Sequence, residues 1–245
     1  MPSPHTQRSL KLPYSREDSI AALSAADPKL AKLIARVGPF TMRLASQQSP
    51  FEALAEAIVY QQLHGKAAAS IHAKLLRSFS PLAHLSDPRE PIEHRHPTPQ
   101  EVLDAPNDQL RSAGLSANKT LALRDLAAKT LDGTVPTLTR IRRMDDAAII
   151  EHLTQVRGIG IWTVQMMLIF RLGRSNILPT SDYGIRKGFA LTFQGLKPTA
   201  RVTPADLPKP DVIERRAKKW EPFCSVASWY LWRACDLANQ AKAAS

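Results

Sequence analysis

Helix punctuation constrains this chain more than any other feature of its sequence. Asp27 followed by Pro28 has the chemistry of an N-cap and a first helical residue, and Gly38 suits the end of the same helix. Ser49, Pro50 and Glu52 have the spacing of a capping box, and Thr98, Pro99 and Glu101 repeat it. Between such signals, apolar residues recur every three or four positions. Phe51, Leu54, Ala55, Ile58 and Val59 fall on one helical face. So do Leu123, Leu126, Ala127, Thr130 and Leu131, in a helix that Gly133 would end. No run alternates apolar and polar residues in the manner of a half-buried strand. The pattern predicts an all-α fold.

Residues 1–18 are polar and basic with scattered Pro and Ser, and are expected to form a flexible tail ahead of a folded region over 19–242. The stretch from Pro81 to Pro97 is rich in Pro, His and charge and reads as a loop. Its His84, His94 and His96 have no accompanying carboxylate or cysteine pattern, so no metal is expected there. A second irregular stretch, Lys197 to Pro210, joins two C-terminal helices. Cys224 and Cys235 are eleven apart, a spacing that fits no zinc or iron–sulfur pattern, and they are expected to be reduced thiols. The N-terminus has no apolar signal core and no segment is long enough to span a membrane. The chain is therefore expected to stay in the compartment where it is made.

Charge narrows the choice of partner. The chain carries 33 Lys and Arg against 22 Asp and Glu, a formal net charge of +11. That excess favours a polyanion, of which nucleic acid is the commonest.

The chemistry concentrates between Asp145 and Phe189. Asp145 can cap a helix containing Ile149, Ile150 and Leu153. Val156-Arg157-Gly158-Ile159-Gly160 then makes a tight turn. A second helix follows, with Ile161, Val164, Gln165, Leu168, Ile169 and Leu172 on one face. A helix, a glycine hairpin and a second helix can hold a phosphate. Glycines let the backbone approach the anion, and the amides at the second helix's start point at it along the helix dipole. Such a grip touches no base edge and is blind to sequence. An ordinary αα-hairpin has the same outline. Downstream, Asp182 stands at the start of another helix, where Ser181 or Asp182 can serve as its cap.

The stretch V-R-G-I-G-I-W-T at 156–163, followed by L-P-T-S-D-Y-G-I-R-K-G-F at 178–189, resembles the helix-hairpin-helix DNA glycosylases of the HhH-GPD superfamily. Within them it is most similar to the 3-methyladenine DNA glycosylase II branch. The resemblance extends from Phe51 through Arg233 and includes A-I-V-Y-Q-Q-L-H-G-K-A-A, S-A-G-L-S-A-N-K and A-S-W-Y-L-W-R. It implies two helical subdomains flanking a DNA-binding cleft. One would span 50–172, with the hairpin at 145–172. The other would combine 19–49 with 173–242.

The resemblance also implies roles for residues. Asp182 matches the catalytic aspartate. Trp162 stands where strand-nicking relatives carry a nucleophilic lysine, which implies a monofunctional enzyme that uses water. Trp162, Tyr183 and Trp232 match aromatics lining the base pocket. Gln62 matches the wedge that fills the gap left by a flipped base, and Leu115 a second wedge on the opposing strand. Gly158, Gly160 and Thr163 match the phosphate-binding hairpin. Cys224 departs from the pattern, standing where a basic residue is expected. The implied activity is excision of alkylated purines of the 3-methyladenine or 7-methylguanine type from double-stranded DNA, leaving an abasic site. No cofactor is expected, the protein is expected to be a monomer, and its location would be the nucleoid or the nucleus. Glycosylases for deaminated or etheno bases, and a non-catalytic DNA-binding protein, are the alternatives.

The chemistry agrees with these assignments. A base must leave the stack before it can be cut out, at a cost of a few kcal/mol. As the glycosidic bond breaks, the sugar gains positive charge, which a carboxylate can stabilise while it activates water. Aromatic faces attract the cationic ring of an alkylated base. In the C-terminal helix, Phe223, Val226, Ala227, Tyr230 and Leu231 form a core stripe that excludes Trp229 and Trp232. Either that helix is buried on two sides or one Trp faces a cleft.

Overall fold

The computed structural model describes residues 11–45, 48–80 and 95–243. The described residues form thirteen α-helices and no strand. They are α1 (Arg16–Ala26), α2 (Pro28–Val37), α3 (Pro50–Tyr60), α4 (Gly65–Ser78), α5 (Pro99–Asp104), α6 (Asn107–Ser112), α7 (Ala117–Leu131), α8 (Leu138–Ile141), α9 (Asp146–Leu153), α10 (Ile161–Phe170), α11 (Tyr183–Phe193), α12 (Pro210–Ala217) and α13 (Cys224–Ala243). The expected all-α class is observed. No described helix is long and apolar enough to cross a membrane.

Caps set the helix starts. The Asp27 carboxylate accepts the Lys29 and Leu30 amides at the head of α2. Ser49 and Thr98 close full capping boxes with Glu52 and Glu101. Asp145 accepts the Ala148 amide at 2.7 Å to start α9. Helix α1 starts slightly ahead of the expected boundary. The tail predicted to reach residue 18 gives way to α1, because the Ser15 hydroxyl accepts the Asp18 amide and Glu17 and Asp18 complement the first turn's dipole. His84, His94 and most of the predicted loop at 81–97 lie outside the described residues.

The chain divides into two compact units. One comprises 47–164, the other 1–46 with 165–245. The expected boundary at 172 thus moves inside α10. The C-terminal half of that helix belongs with the second unit, where the Ala45 amide donates to Phe170 O and the Arg174 amide to Leu168 O.

In the 47–164 unit the core is built from Phe51, Leu54, Ile58 and Val59 of α3, Leu123, Leu126 and Ala127 of α7, and Ile149 and Leu153 of α9, all buried. Each of these apart from Ala127 contributes roughly 1.5–3 kcal/mol by leaving water. The Arg124 guanidinium donates to Leu103 O and Ala105 O, fixing α7 to the end of α5.

In the other unit α11 lies against α13 at close backbone range. A Cβ built on Gly188 would sit 2.1 Å from Leu231 O, so only glycine permits the packing. Asp27 is the second fastening. Its fully buried carboxylate takes both Nε and a terminal nitrogen of Arg216, at 2.8 and 2.7 Å, and the Trp220 indole N–H at 3.0 Å. Burial alone would raise its pKa. The hydrogen bonds from Arg216 and Trp220, the Arg216 charge and the Leu30 amide outweigh that and hold it below the usual carboxylate range. Arg186 donates to Pro204 O, Leu207 O and Pro208 O, pinning the irregular connection at 197–210 onto α11.

Candidate active site

The segment leading to Asp182 is held from below by two buried serines of α13. Ser225 Oγ donates to Arg174 O and accepts the Ile177 amide, and Ser228 Oγ donates to Ile177 O. Asp182 is then the residue that caps α11, its Oδ1 accepting the Ile185 amide at 2.8 Å. The same oxygen accepts the Trp232 indole N–H at 2.8 Å. With one oxygen fixed by two donors, the carboxyl plane is set. The helix N-terminus behind it favours the negative charge.

Gly184 makes room for this contact. A Cβ there would meet Trp232 Cδ1 at 2.7 Å and Asp182 Oδ1 at 3.1 Å. The Trp232 ring packs on Phe170 with centroids 5.6 Å apart. Cys235 Sγ donates to Gly184 O, and burial pushes its thiol up to about 11. Tyr183 opens α11 and is 44% exposed, with Lys187 Nζ 5.9 Å above its ring. Of the two off-stripe tryptophans, Trp229 is buried edge-on against Phe40, and Trp232 is the half-buried one that reaches Asp182. Cys224 is buried in the core, its Sγ donating to Ala217 O, and burial raises it to about 12. It is a packing residue with no surface for phosphate.

The hairpin belongs to the 47–164 unit. It joins α9 to α10 through a turn in which Gly158 has φ +78°, a conformation glycine adopts without strain. Helix α7 supports it. Asp125 accepts the Arg157 amide at 2.7 Å and Lys129 Nζ at 2.9 Å, and Lys129 also donates to Gln155 O. Burial pushes the Asp125 pKa up, and these donors bring it below the usual range. Gly160 differs from Gly158. Its φ is not positive, and a Cβ built on it would meet nothing within 4 Å. Nothing among the described residues requires glycine there. Thr163 follows, partly exposed, in the first turn of α10.

Ile161, expected on the buried face of α10, is instead 56% exposed, and Trp162 is 46% exposed. Burial starts only at Val164, one turn further on. The turn between α3 and α4 is equally distinctive. Gln62 is exposed with φ +58°, the one non-glycine positive φ among the described residues, and Gln61 Nε2 donates to Gly158 O at 2.9 Å. Leu115 does not share this exposure. It is 4% exposed, its side chain packed in the core of its unit. Among the described residues no group of three or more His, Cys, Asp and Glu could hold a metal ion.

The structure places Asp182, Tyr183 and Trp232 in one unit and Gln62, Gly158, Gly160 and Trp162 in the other, whereas sequence reasoning grouped Trp162 with Tyr183 and Trp232. Sequence reasoning missed Gly184 and Gln61. The one signal for Gly184 was a glycine in a helix's first turn, where it is otherwise unfavourable.

A family model described as HhH-GPD superfamily base excision DNA repair protein matches residues 55–221. DNA-3-methyladenine glycosylase 1 of Schizosaccharomyces pombe is 33% identical over 221 residues, covering 90% of this chain and 88% of the relative. The solved structure of the S. pombe 3-methyladenine DNA glycosylase in complex with abasic DNA superposes with a TM-score of 0.70 at 31% identity, covering 88% of this chain and 95% of that one. A DNA-3-methyladenine glycosidase structure from Bacillus halodurans superposes with a TM-score of 0.73 at 25% identity, covering 91% of each chain.

Proposed function

The chain belongs to the HhH-GPD superfamily of base excision DNA repair proteins, and on that footing we propose how it works and on what. It is an alkylbase DNA glycosylase, a hydrolase of N-glycosyl bonds, and its partner is DNA. The substrate is double-stranded DNA carrying alkylated purines of the 3-methyladenine and 7-methylguanine type. The protein acts as a monomer, in the nucleoid or nucleus.

The observation that carries the mechanism is the doubly held carboxylate of Asp182. Hydrolysis breaks the bond between C1′ and the base nitrogen. The bonding electron pair leaves with the base, a water oxygen bonds to C1′, and the water gives up a proton. Alkylation at a ring nitrogen makes the base a good leaving group, so the protein's main task is at the sugar. Asp182 faces the positive charge that grows there and takes the proton from water. Trp232 fixes the carboxylate and, with Tyr183, offers aromatic surface to a cationic base, and Trp162, exposed at the head of α10, offers the same kind of surface. A tryptophan at 162 supplies no amine for a Schiff base, so the DNA strand stays intact.

In the 47–164 unit, the open space at Gly160 suits a phosphate oxygen approaching the backbone, with Gly158 and Thr163 beside it. Gln62 fills the gap left by the flipped nucleotide. An exposed side chain on a strained backbone turn is poised for that work.

The test is base release from duplexes each carrying one lesion. Free 7-methylguanine or 3-methyladenine and an uncut strand with an abasic site are expected. Asp182→Asn should lower single-turnover release by at least about 100-fold, the lower range of a positioned acid–base group, while affinity for an abasic-site analogue stays within a few-fold. Full turnover by Asp182→Asn, or borohydride trapping of a covalent enzyme–DNA adduct by the parent protein, would overturn the assignment.

A further inference from the structure

The turn carrying Gln62 and the hairpin that ends at Gly160 are about a hundred residues apart in sequence, yet they meet at one hydrogen bond. Gln61 Nε2 donates to the carbonyl of Gly158 at 2.9 Å, and both groups are exposed. The geometry on either side of that bond is unusual. Gln61 closes α3, its own amide donating to Ala57 O, and the next residue, Gln62, is forced to φ +58°. A non-glycine residue in that region is strained by roughly 1 kcal/mol or more and persists only when its surroundings hold it. On the other side, Gly158 also has positive φ, and its neighbours are clamped by Asp125 and Lys129 of α7. The hairpin side is therefore the anchored one, and Gln61 ties the strained turn to it. The two segments also carry exposed large apolar side chains, Tyr60 and Leu63 on one and Ile161 and Trp162 on the other. That surface is costly in water and suited to unstacked bases.

We propose that Gln61 is a positioning residue that couples the hairpin's seating on a phosphate to the insertion of Gln62 into the duplex. A hairpin held by DNA holds the Gly158 carbonyl, the carbonyl holds Gln61, and Gln61 keeps Gln62 in its left-handed conformation, aimed outward. Without the bond the turn relaxes toward ordinary backbone and the wedge loses its aim. The inference rests on the glycosylase reading for the roles of Gln62 and the hairpin.

Gln61→Met tests it, because methionine keeps the length of the side chain and removes the donor. The probe is a duplex with a tetrahydrofuran abasic analogue and 2-aminopurine as the opposing base, whose fluorescence rises as a wedge disturbs its stacking. No bond is cut, so the measurement does not depend on catalysis. Gln61→Met should reduce the affinity difference between this duplex and an undamaged one about 3- to 10-fold, the worth of one neutral hydrogen bond, and diminish the 2-aminopurine signal. Affinity for the undamaged duplex should stay within twofold. The losses from Gln61→Met and Gln62→Ala should not add in the double variant, because both remove one event. Gln61→Lys, which restores a donor, should recover part of the signal relative to its own undamaged-duplex affinity. Unchanged discrimination in Gln61→Met, or fully additive losses, would overturn the coupling. A parent protein that gives no 2-aminopurine signal would instead overturn the wedge role of Gln62 itself.

Discussion

The carboxylate of Asp182 and the indole of Trp232 share a single 2.8 Å contact, so substitutions at Trp232 can separate orientation from stacking. Trp232→Phe keeps an aromatic face on Phe170 and loses the N–H. A hydrogen bond to a charged group is worth about 1.5–3 kcal/mol, so single-turnover base release should fall roughly 10- to 150-fold, equally for 7-methylguanine and hypoxanthine. Trp232→Ala also removes the ring, and the additional loss should be larger for the cationic 7-methylguanine, because attraction to a ring face depends on charge. Equal additional losses on both bases would mean that the ring acts through packing or shape. This pairing was half legible in the sequence. A carboxylate at a helix start and an aromatic outside a core stripe are each local signals. That one donates to the other across 50 residues is a product of the α11–α13 approach, which no local pattern encodes.

Helix α11 packs so closely on α13 that its two glycines act on different properties. Gly188→Ala places a Cβ against the backbone of Leu231, which cannot rotate away. The helices must part, at a cost of about 3 kcal/mol or more, and thermal melting should show the loss. Gly184→Ala meets only the edge of the Trp232 ring and the Asp182 carboxylate. It should melt much closer to the parent protein and lose most of its base-release activity. The reverse ranking would contradict the packing described. A second fastening, between α2 and α12, predicts a pH response. The Asp27 pKa is lowered on folding, so its stabilisation is fully present above the ordinary carboxylate range and is lost as pH falls through the lowered value. Asp27→Asn should cost about 2–4 kcal/mol at pH 7, less than the ~3–5 of a fully buried pair because Arg216 is 26% exposed. Urea unfolding at pH 7 and pH 3 checks this, and the gap between parent and variant should narrow at pH 3. Caps such as Asp27, Ser49, Thr98 and Asp145 were readable because capping is settled within four residues. The ion pair to Arg216, 189 residues away, was not. Periodicity similarly identified the face of α10 but not that Ile161 lies beyond the neighbours that cover that face. The burial of Leu115 was likewise not legible, since a match of motif carries no information about burial.

For the molecule as a whole, net charge and hairpin geometry make separable contributions to DNA binding, and the two can be measured independently. The excess of Lys and Arg gives +11, which attracts any duplex and releases condensed counterions as it binds. Each phosphate neutralised adds about −0.9 to the slope of log K against log salt. A footprint of about five phosphates would thus weaken binding about 500-fold between 50 and 200 mM salt. The hairpin works differently, because backbone amides are neutral and displace no counterion. Gly160→Ala provides the separation, since a Cβ there meets no atom of the protein within 4 Å and the residue's φ suits alanine. The variant should melt within a degree or two of the parent protein. If a phosphate does approach that backbone, the methyl group obstructs it, and affinity for undamaged duplexes should fall several-fold at every salt concentration. The salt slope should stay unchanged, and the loss should be the same for duplexes of different flanking sequence, because no base edge is read. Fluorescence anisotropy across a salt series on two unrelated duplexes measures all three quantities. A shallower slope in Gly160→Ala would mean that the substitution displaced a cationic side chain, and an unchanged affinity would remove the phosphate from Gly160.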